Sequence, residues 1–344
     1  MKAIVFFGEK KLGVVEYPDP IPGPNDVIVK IKASGMCGTD LHQYRGDSRS
    51  EDQLIIAGHE PCGVIEKVGE GVLPHEARIG DRVVVHHYDG CRVCNSCRSG
   101  WTQLCGTEHK ITFGVSGGHG AHAQFMKVPA HSLIKIPNSL SFKAGAAVAC
   151  GTGTAYGAIK RLDLKGGETI AIFGQGPVGL SGTMFAKAMG ARVIALDVSE
   201  ERLELAKKFG ADVLVNPAKE DPVKAIKSVT RRGEGADKSM ECSSNSDARR
   251  QSVESLCRWG TACLVGVYGK IEFDVIETIQ RMKTVVGSQT FSKSMLDDCA
   301  NFVVENGVDV EGLFTHEFRI DQAEEAYELF DSGKMGKGVF VFDQ

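Results

Sequence analysis

Hydrophobic and polar positions along the chain follow two rhythms, and the change falls near Ser141. Up to about residue 140 the apolar residues come in short runs cut by turn residues, as in Asp26–Ile31, Gly63–Val68 and Asp81–Val85. Such runs predict strands. Pro18, Pro20, Pro22 and Pro24 predict an early loop. From there to about residue 290, apolar strands alternate with amphipathic stretches of helical period. Strands are expected at Thr169–Phe173, Arg192–Leu196, Asp212–Val215, Asp237–Glu241, Thr261–Val267 and Thr284–Gly287. Six strands separated by helices are the pattern of a doubly wound parallel sheet. The last fifty or so residues return to mixed α and β character and end in an expected strand, Gly338–Phe342. The order predicts an α/β chain in which residues 151–290 form a parallel-sheet domain inserted into a β-rich one built from 1–150 and 291–344.

The length of 344 residues is enough for two cores. Composition changes the picture mainly by exclusion. With 42% hydrophobic and 24% charged residues, a net charge of −4 and a pI near 6.2, the chain has no basic excess that would suit nucleic acid. The first residues, Met1-Lys2-Ala3-Ile4-Val5-Phe6-Phe7, are interrupted by Glu9-Lys10-Lys11 too soon for a signal peptide, and no apolar run approaches a membrane span. Eleven cysteines in such a chain predict reduced thiols and metal binding in a cytoplasmic protein.

Four of those cysteines form Cys91-x2-Cys94-x2-Cys97-x7-Cys105. Thiolates at this spacing, with Gly90, Asn95, Ser96 and Gly106 loosening the backbone, can converge tetrahedrally on one Zn²⁺ at about 2.3 Å each. Four protein ligands leave no open position, so this zinc would be structural, in a lobe of about residues 90–106. Two disulfides fit a chain without a secretory signal poorly, and the common iron–sulfur spacing ends differently.

Gly174-Gln175-Gly176-Pro177-Val178-Gly179 follows the apolar run Ile170–Phe173 and opens a helix expected to about Met189. Strand, glycines and helix in this order predict a dinucleotide site, with pyrophosphate at the helix N-terminus. Asp197 ends the next strand, 18 residues after Gly179, where a carboxylate can accept hydrogen bonds from a ribose. The bland reading is a cap for the helix expected near Ser199. A carboxylate there repels a 2′-phosphate, and no cation follows until Arg202, so NAD is favoured over NADP.

The remaining candidate ligands, Cys37, His59, Glu60 and Cys150, are too scattered for spacing to join them. Cys62, Cys242, Cys257, Cys263 and Cys299 read as inert buried thiols. Here resemblance adds what spacing cannot. Cys37-Gly38-Thr39-Asp40-Leu41-His42, Gly58-His59-Glu60, Gly80-Asp81-Arg82-Val83, the cysteine lobe, Cys150-Gly151-Thr152-Gly153-Thr154-Ala155-Tyr156 and the glycine fingerprint occur in that order. Over essentially its whole length the chain resembles the zinc-dependent medium-chain dehydrogenases and, within them, the threonine-dehydrogenase-like branch.

The resemblance implies a GroES-like β-rich catalytic domain beside a Rossmann cofactor domain. It also implies a second zinc held by Cys37, His59 and Cys150, with Glu60 able to displace bound water and Asp40 orienting the ligating histidine. Cys150 matches the alcohol dehydrogenases, whereas threonine and sorbitol dehydrogenases commonly place an acidic residue there. That departure weakens threonine as the substrate. Three ligands would leave room for an alcohol oxygen, and hydride would pass to NAD. Thr39 would take the alcohol proton and His42 deliver it to solvent, a task suited to an imidazole. Lys337 matches a basic residue at the pyrophosphate, while Val267 and Gln289 fall where backbone lines the nicotinamide pocket.

His87, four residues before Cys91, is expected in the substrate wall. The polar run His86-His87-Tyr88 suits a small polar secondary alcohol, such as a polyol, sugar or amino alcohol, reversibly converted to its ketone. An L-threonine 3-dehydrogenase-like enzyme is the alternative within this class. Outside it stand a non-catalytic zinc-stabilised redox sensor, expected to hold one zinc, and a zinc-free quinone or enoyl reductase. The expected assembly is a homodimer or homotetramer, with no nucleic-acid or membrane partner.

Overall fold

The computed structural model describes residues 1–47 and 54–342, and the chain divides into two compact units. The first comprises Met1–Gly153 and Ser292–Gln344; the second is Thr154–Phe291.

In the first unit the strands Leu133–Lys135, Arg82–Val85, Glu60–Val68, Asp26–Gly35, Lys337–Val341 and Phe314–Phe318 lie side by side in that order, with Phe125–Pro129 also paired to Asp26–Gly35. The C-terminal strand Lys337–Val341 runs antiparallel to Asp26–Gly35, with Phe340 opposite Ser34. This pairing draws the last residues back onto the first. One face buries Val27, Val29, Ile31, Ile65, Val83, Val85, Met126 and Val128, the alternate apolar positions of the sequence pattern.

A second core gathers Phe6, Met36, Tyr44, Phe318, Tyr327 and Phe340. Phe6 meets Tyr327 edge-on with ring centroids 4.9 Å apart, so the C-terminal helix Ala323–Asp331 is anchored to the first strand of the chain.

The second unit is a six-stranded sheet in which every pair is parallel. Its order is Val213–Val215, Arg192–Leu196, Thr169–Phe173, Ala236–Glu241, Leu256–Leu264 and Thr284–Gly287. The order reverses between the third and fourth of these, which is the switch point of a doubly wound fold. Ile170, Ala171, Ile172 and Phe173 are all buried, as a strand covered on both faces requires. The helices Glu200–Lys208, Pro222–Val229 and Ser246–Glu254 begin at side-chain caps: Ser199 accepts from Arg202 N–H, Asp221 from Val223 and Lys224, and Asn245 from Ala248.

Three of the six expected strands have the expected limits, and one is displaced. The strand expected at Thr261–Val267 is Leu256–Leu264. Val265 and Gly266 leave the ladder because both of their N–H groups donate to the carbonyl of Glu241. The short helix Gly38–Tyr44 was not legible beforehand.

Candidate metal and dinucleotide sites

Cys91, Cys94, Cys97 and Cys105 come together with their sulfurs within 4.8 Å of one another. A tetrahedron of thiolates around zinc has edges of about 3.8 Å, so the lobe fits one ion. Cys91 N–H points at Cys105 Sγ (3.5 Å) and Cys94 N–H at Cys91 Sγ (3.4 Å), the polarity that thiolates need. The Thr107 hydroxyl, with backbone N–H groups of Cys91 and Thr107, brings the Cys105 thiol down to about 6. A Cβ on Gly90 would lie 2.8 Å from Cys97 Sγ and 2.9 Å from Cys105 Cβ, so only glycine leaves the cluster room to close. Asp89 braces the base of the lobe through His131 Nε2 at 2.9 Å.

The scattered set also converges. Donor atoms of Cys37, His59, Glu60 and Cys150 lie within 4.8 Å of one another, with His59, Glu60 and Cys150 buried. Each comes from a different local structure. Cys37 caps the helix Gly38–Tyr44, and His59 directly precedes the strand that Glu60 begins. Cys150 sits in the π-helical turn Val148–Thr152 between Phe142–Ala147 and Gly153–Leu162, a backbone irregularity frequent at functional sites.

Asp40 couples two of these donors. Its Oδ1 lies 3.0 Å from His59 Nδ1, and its Oδ2 accepts from Cys37 N–H at 2.8 Å. The first contact leaves His59 Nε2 as the ring atom free to ligate.

The electrostatics favour a cation. A hydrogen bond from Cys150, with His59 nearby, holds the Cys37 thiol well below its ordinary range despite burial, while Cys150, as the donor, is raised. Glu60 Oε1 is buried with no hydrogen-bond partner among the described residues. Anionic donors packed this closely out of water require positive charge beside them. Zinc fits this donor set.

Lys337 is buried against this cluster. Its side chain is 3% exposed, its Nζ lies 2.6 Å from Glu60 Oε2, and it also donates to the carbonyl of Met36. The ammonium thus pairs with Glu60 inside the first unit. Desolvation would lower its pKa, but Glu60 and Cys37 outweigh that and keep it charged.

His87 is buried beside the cluster, its ring 5.2 Å from that of His59 and its Nδ1 3.1 Å from the carbonyl of Ala149. His86 does not share that wall, because it turns toward Tyr88 O and the Thr102 hydroxyl. Thr39 and His42 are exposed, three apart on one helix and therefore on one face.

Burial pushes the thiols of Cys62 and Cys263 up to about 12, which suits inert core residues. Sequence reasoning missed His122, which is buried between Ser34 Oγ and Tyr327 OH at 2.8 Å each, and lies 3.9 Å from Asp40. No motif marks it.

In the second unit Gly174 has φ +88°, open to glycine at little cost, and a Cβ on Gly179 would lie 1.8 Å from Gly174 O. The helix Pro177–Ala188 starts at Gly176 with proline at its first position, leaving Val178 and its neighbours to direct N–H groups outward. Asp197 accepts from Gln175 N–H at 2.7 Å and from Ser199 N–H at 2.9 Å. It therefore both caps the next turn and reaches the glycine loop. Arg202 lies 3.8 Å from Asp197, half exposed. Val267 and Gln289 are both exposed past the ends of their strands.

Known proteins resemble this chain over nearly its whole length. Residues 23–138 match the alcohol dehydrogenase GroES-like domain, and residues 177–305 match the zinc-binding dehydrogenase domain. An uncharacterized zinc-type alcohol dehydrogenase-like protein of Escherichia coli is 35% identical over 99% of both chains. An L-threonine 3-dehydrogenase of Shewanella baltica is 31% identical over 97% of both. The solved alcohol dehydrogenase of Thermus sp. ATN1 superposes with a TM-score of 0.91, at 29% identity and 99% coverage of each chain. With its paired cysteine clusters, glycine-rich turn and GroES-like sheet, this chain belongs to the zinc-dependent medium-chain dehydrogenase superfamily.

Proposed function

We propose that the protein is an NAD-dependent zinc alcohol dehydrogenase that reversibly oxidises a small polar secondary alcohol to a ketone. The observation that carries the reading is the convergence of Cys37, His59, Glu60 and Cys150 in a buried, anion-rich cluster. Cys37, His59 and Cys150 would hold the catalytic zinc, and the four-cysteine lobe a structural one. Bound there, zinc supplies the Lewis acidity that lowers the pKa of an alcohol hydroxyl, and nicotinamide supplies the hydride acceptor.

The chain's own residues do the rest. Asp40 fixes the His59 ring, and Glu60, held by Lys337, stands ready to exchange with water during turnover. Thr39 Oγ1 would accept the alcohol's proton as it releases its own, and His42 on the same helical face would deliver a proton to solvent. His87 presents a polar ring beside the cluster, which supports a hydroxylated rather than a long aliphatic substrate. Asp197 at the glycine loop supports NAD, since its charge opposes a 2′-phosphate.

Exposed apolar side chains of Trp259, Tyr268, Ile276, Ile279 and Met282 support self-association as a homodimer or homotetramer, which light scattering would measure. All eleven cysteines are unpaired, which supports a cytoplasmic location.

Metal analysis and an NADH absorbance assay over polyols, amino alcohols, threonine and simple secondary alcohols test the reading. Two zincs per chain and turnover of a polar secondary alcohol are expected. Zinc-free protein, or no turnover across the panel, would overturn it.

A further inference from the structure

A buried ion pair in the second unit has no part in the chemistry above. Glu241 ends the strand Ala236–Glu241 and is fully buried; Arg249, in the helix Ser246–Glu254, is 4% exposed. Arg249 Nε lies 3.3 Å from Glu241 Oε2. The pair reaches two loops. Glu241 Oε1 accepts from the N–H and hydroxyl of Ser243, each at 2.6 Å, and from Ser244 N–H at 2.9 Å. Arg249 Nη2 donates to the carbonyls of Gly266 (3.1 Å) and Val267 (3.3 Å).

These loops follow adjacent strands of the sheet, on the side of the switch point away from Asp197. Each contains a non-glycine residue in the left-handed region, Ser244 at φ 62° and Tyr268 at φ 69°. Such residues cost energy and persist only where their surroundings hold them. The fit leaves no slack: a Cβ on Gly266 would lie 2.7 Å from Glu241 Oε2, and one on Gly269 2.5 Å from Arg249 Nη1. The first loop also abuts the dinucleotide turn, since a Cβ on Gly174 would lie 2.9 Å from Ser243 Cβ.

A dinucleotide spans the switch point, one half over each side of the sheet. With the adenosine half on the Asp197 side, the other half falls to the loops that this pair holds. We propose that Glu241 and Arg249 are positioning residues that shape loops 242–245 and 265–268 to receive the nicotinamide half of the cofactor. The proposal rests on the NAD reading above. The pair therefore governs how much that half adds to binding, while the adenosine half binds independently of it.

The test is equilibrium binding of NADH and of ADP-ribose, which lacks the nicotinamide, to the purified full-length chain. The wild type should bind NADH more tightly than ADP-ribose. Arg249→Lys keeps the charge but loses the planar fork that serves carboxylate and carbonyls together. It should weaken NADH roughly tenfold or more while ADP-ribose changes less than about twofold. Glu241→Gln, which keeps an acceptor for Ser243 and Ser244, should show the same selective loss. Equal weakening of both ligands, or no change in either, overturns the proposal and leaves the NAD reading standing. Failure of both variants to fold marks the pair as purely structural and overturns it too. A wild type that binds neither ligand overturns the NAD reading and the proposal with it.

Discussion

Asp40 Oδ1 stands 3.0 Å from His59 Nδ1 while its other oxygen accepts from the backbone N–H of Cys37, so one carboxylate braces two candidate zinc ligands at once. Oriented ligands bind metal more tightly than mobile ones, and loss of such an outer contact typically costs about 10–100-fold in affinity. Asp40→Asn should weaken one zinc by that factor and leave the lobe's zinc unchanged. Chelator competition followed by metal analysis distinguishes the two, and equal loss of both would contradict the assignment.

Cys150→Ala removes a donor from the buried cluster without touching the lobe. The variant should fold, keep about one zinc per chain and lose turnover with every alcohol. Residual activity near wild type would remove Cys150 from the ligand set.

Asp197→Gly should shift preference from NADH toward NADPH. The structure adds a reason: Arg202, 3.8 Å from Asp197, would be released to meet a 2′-phosphate. Because Gln175 N–H also loses its acceptor, NADH binding should weaken as well. An unchanged ratio of the two affinities would show that Asp197 does not face the ribose.

Breaking the Lys337–Glu60 pair strands a buried charge. Both side chains are at most 3% exposed, so Lys337→Met should destabilise the chain by about 3–5 kcal/mol, read from denaturant unfolding. A loss below about 1 kcal/mol would mean that the pair is dispensable.

Acid stability should report on His122. Burial lowers its pKa from the ordinary 6.5 to about 4, with the Asp40 carboxylate opposing and His59 assisting. The folded chain then binds fewer protons than the unfolded chain between those values. Its contribution is complete above about pH 6.5 and drains as pH falls toward about 4, amounting to on the order of 3 kcal/mol. His122→Gln should be less stable at pH 7 yet decline less steeply between pH 7 and 4.5 in urea titrations. Parallel declines would refute the burial account.

Much of this was written locally. The glycine-rich turn, its flanking strand and the helix after it are contiguous, so periodicity and glycine placement announce them together. The four-cysteine lobe is likewise local, because fifteen residues of chain can close on one ion with few alternatives. The end of the strand at Leu264 is not legible locally, because it depends on where Glu241 O lies, a partner in another strand.

The sequence by itself determined two periodicities, a closed thiolate cluster, a dinucleotide turn and, through ordered motifs, a family. Tertiary structure alone decided which of the scattered donors meet, since Cys37, His59 and Cys150 are joined by strand pairing and a π-turn rather than by spacing. It also decided that Lys337 turns inward to Glu60, and that His122 lies against Tyr327, 205 residues away. Contacts of that reach arise from burial and charge pairing in the folded chain, and no local pattern encodes them.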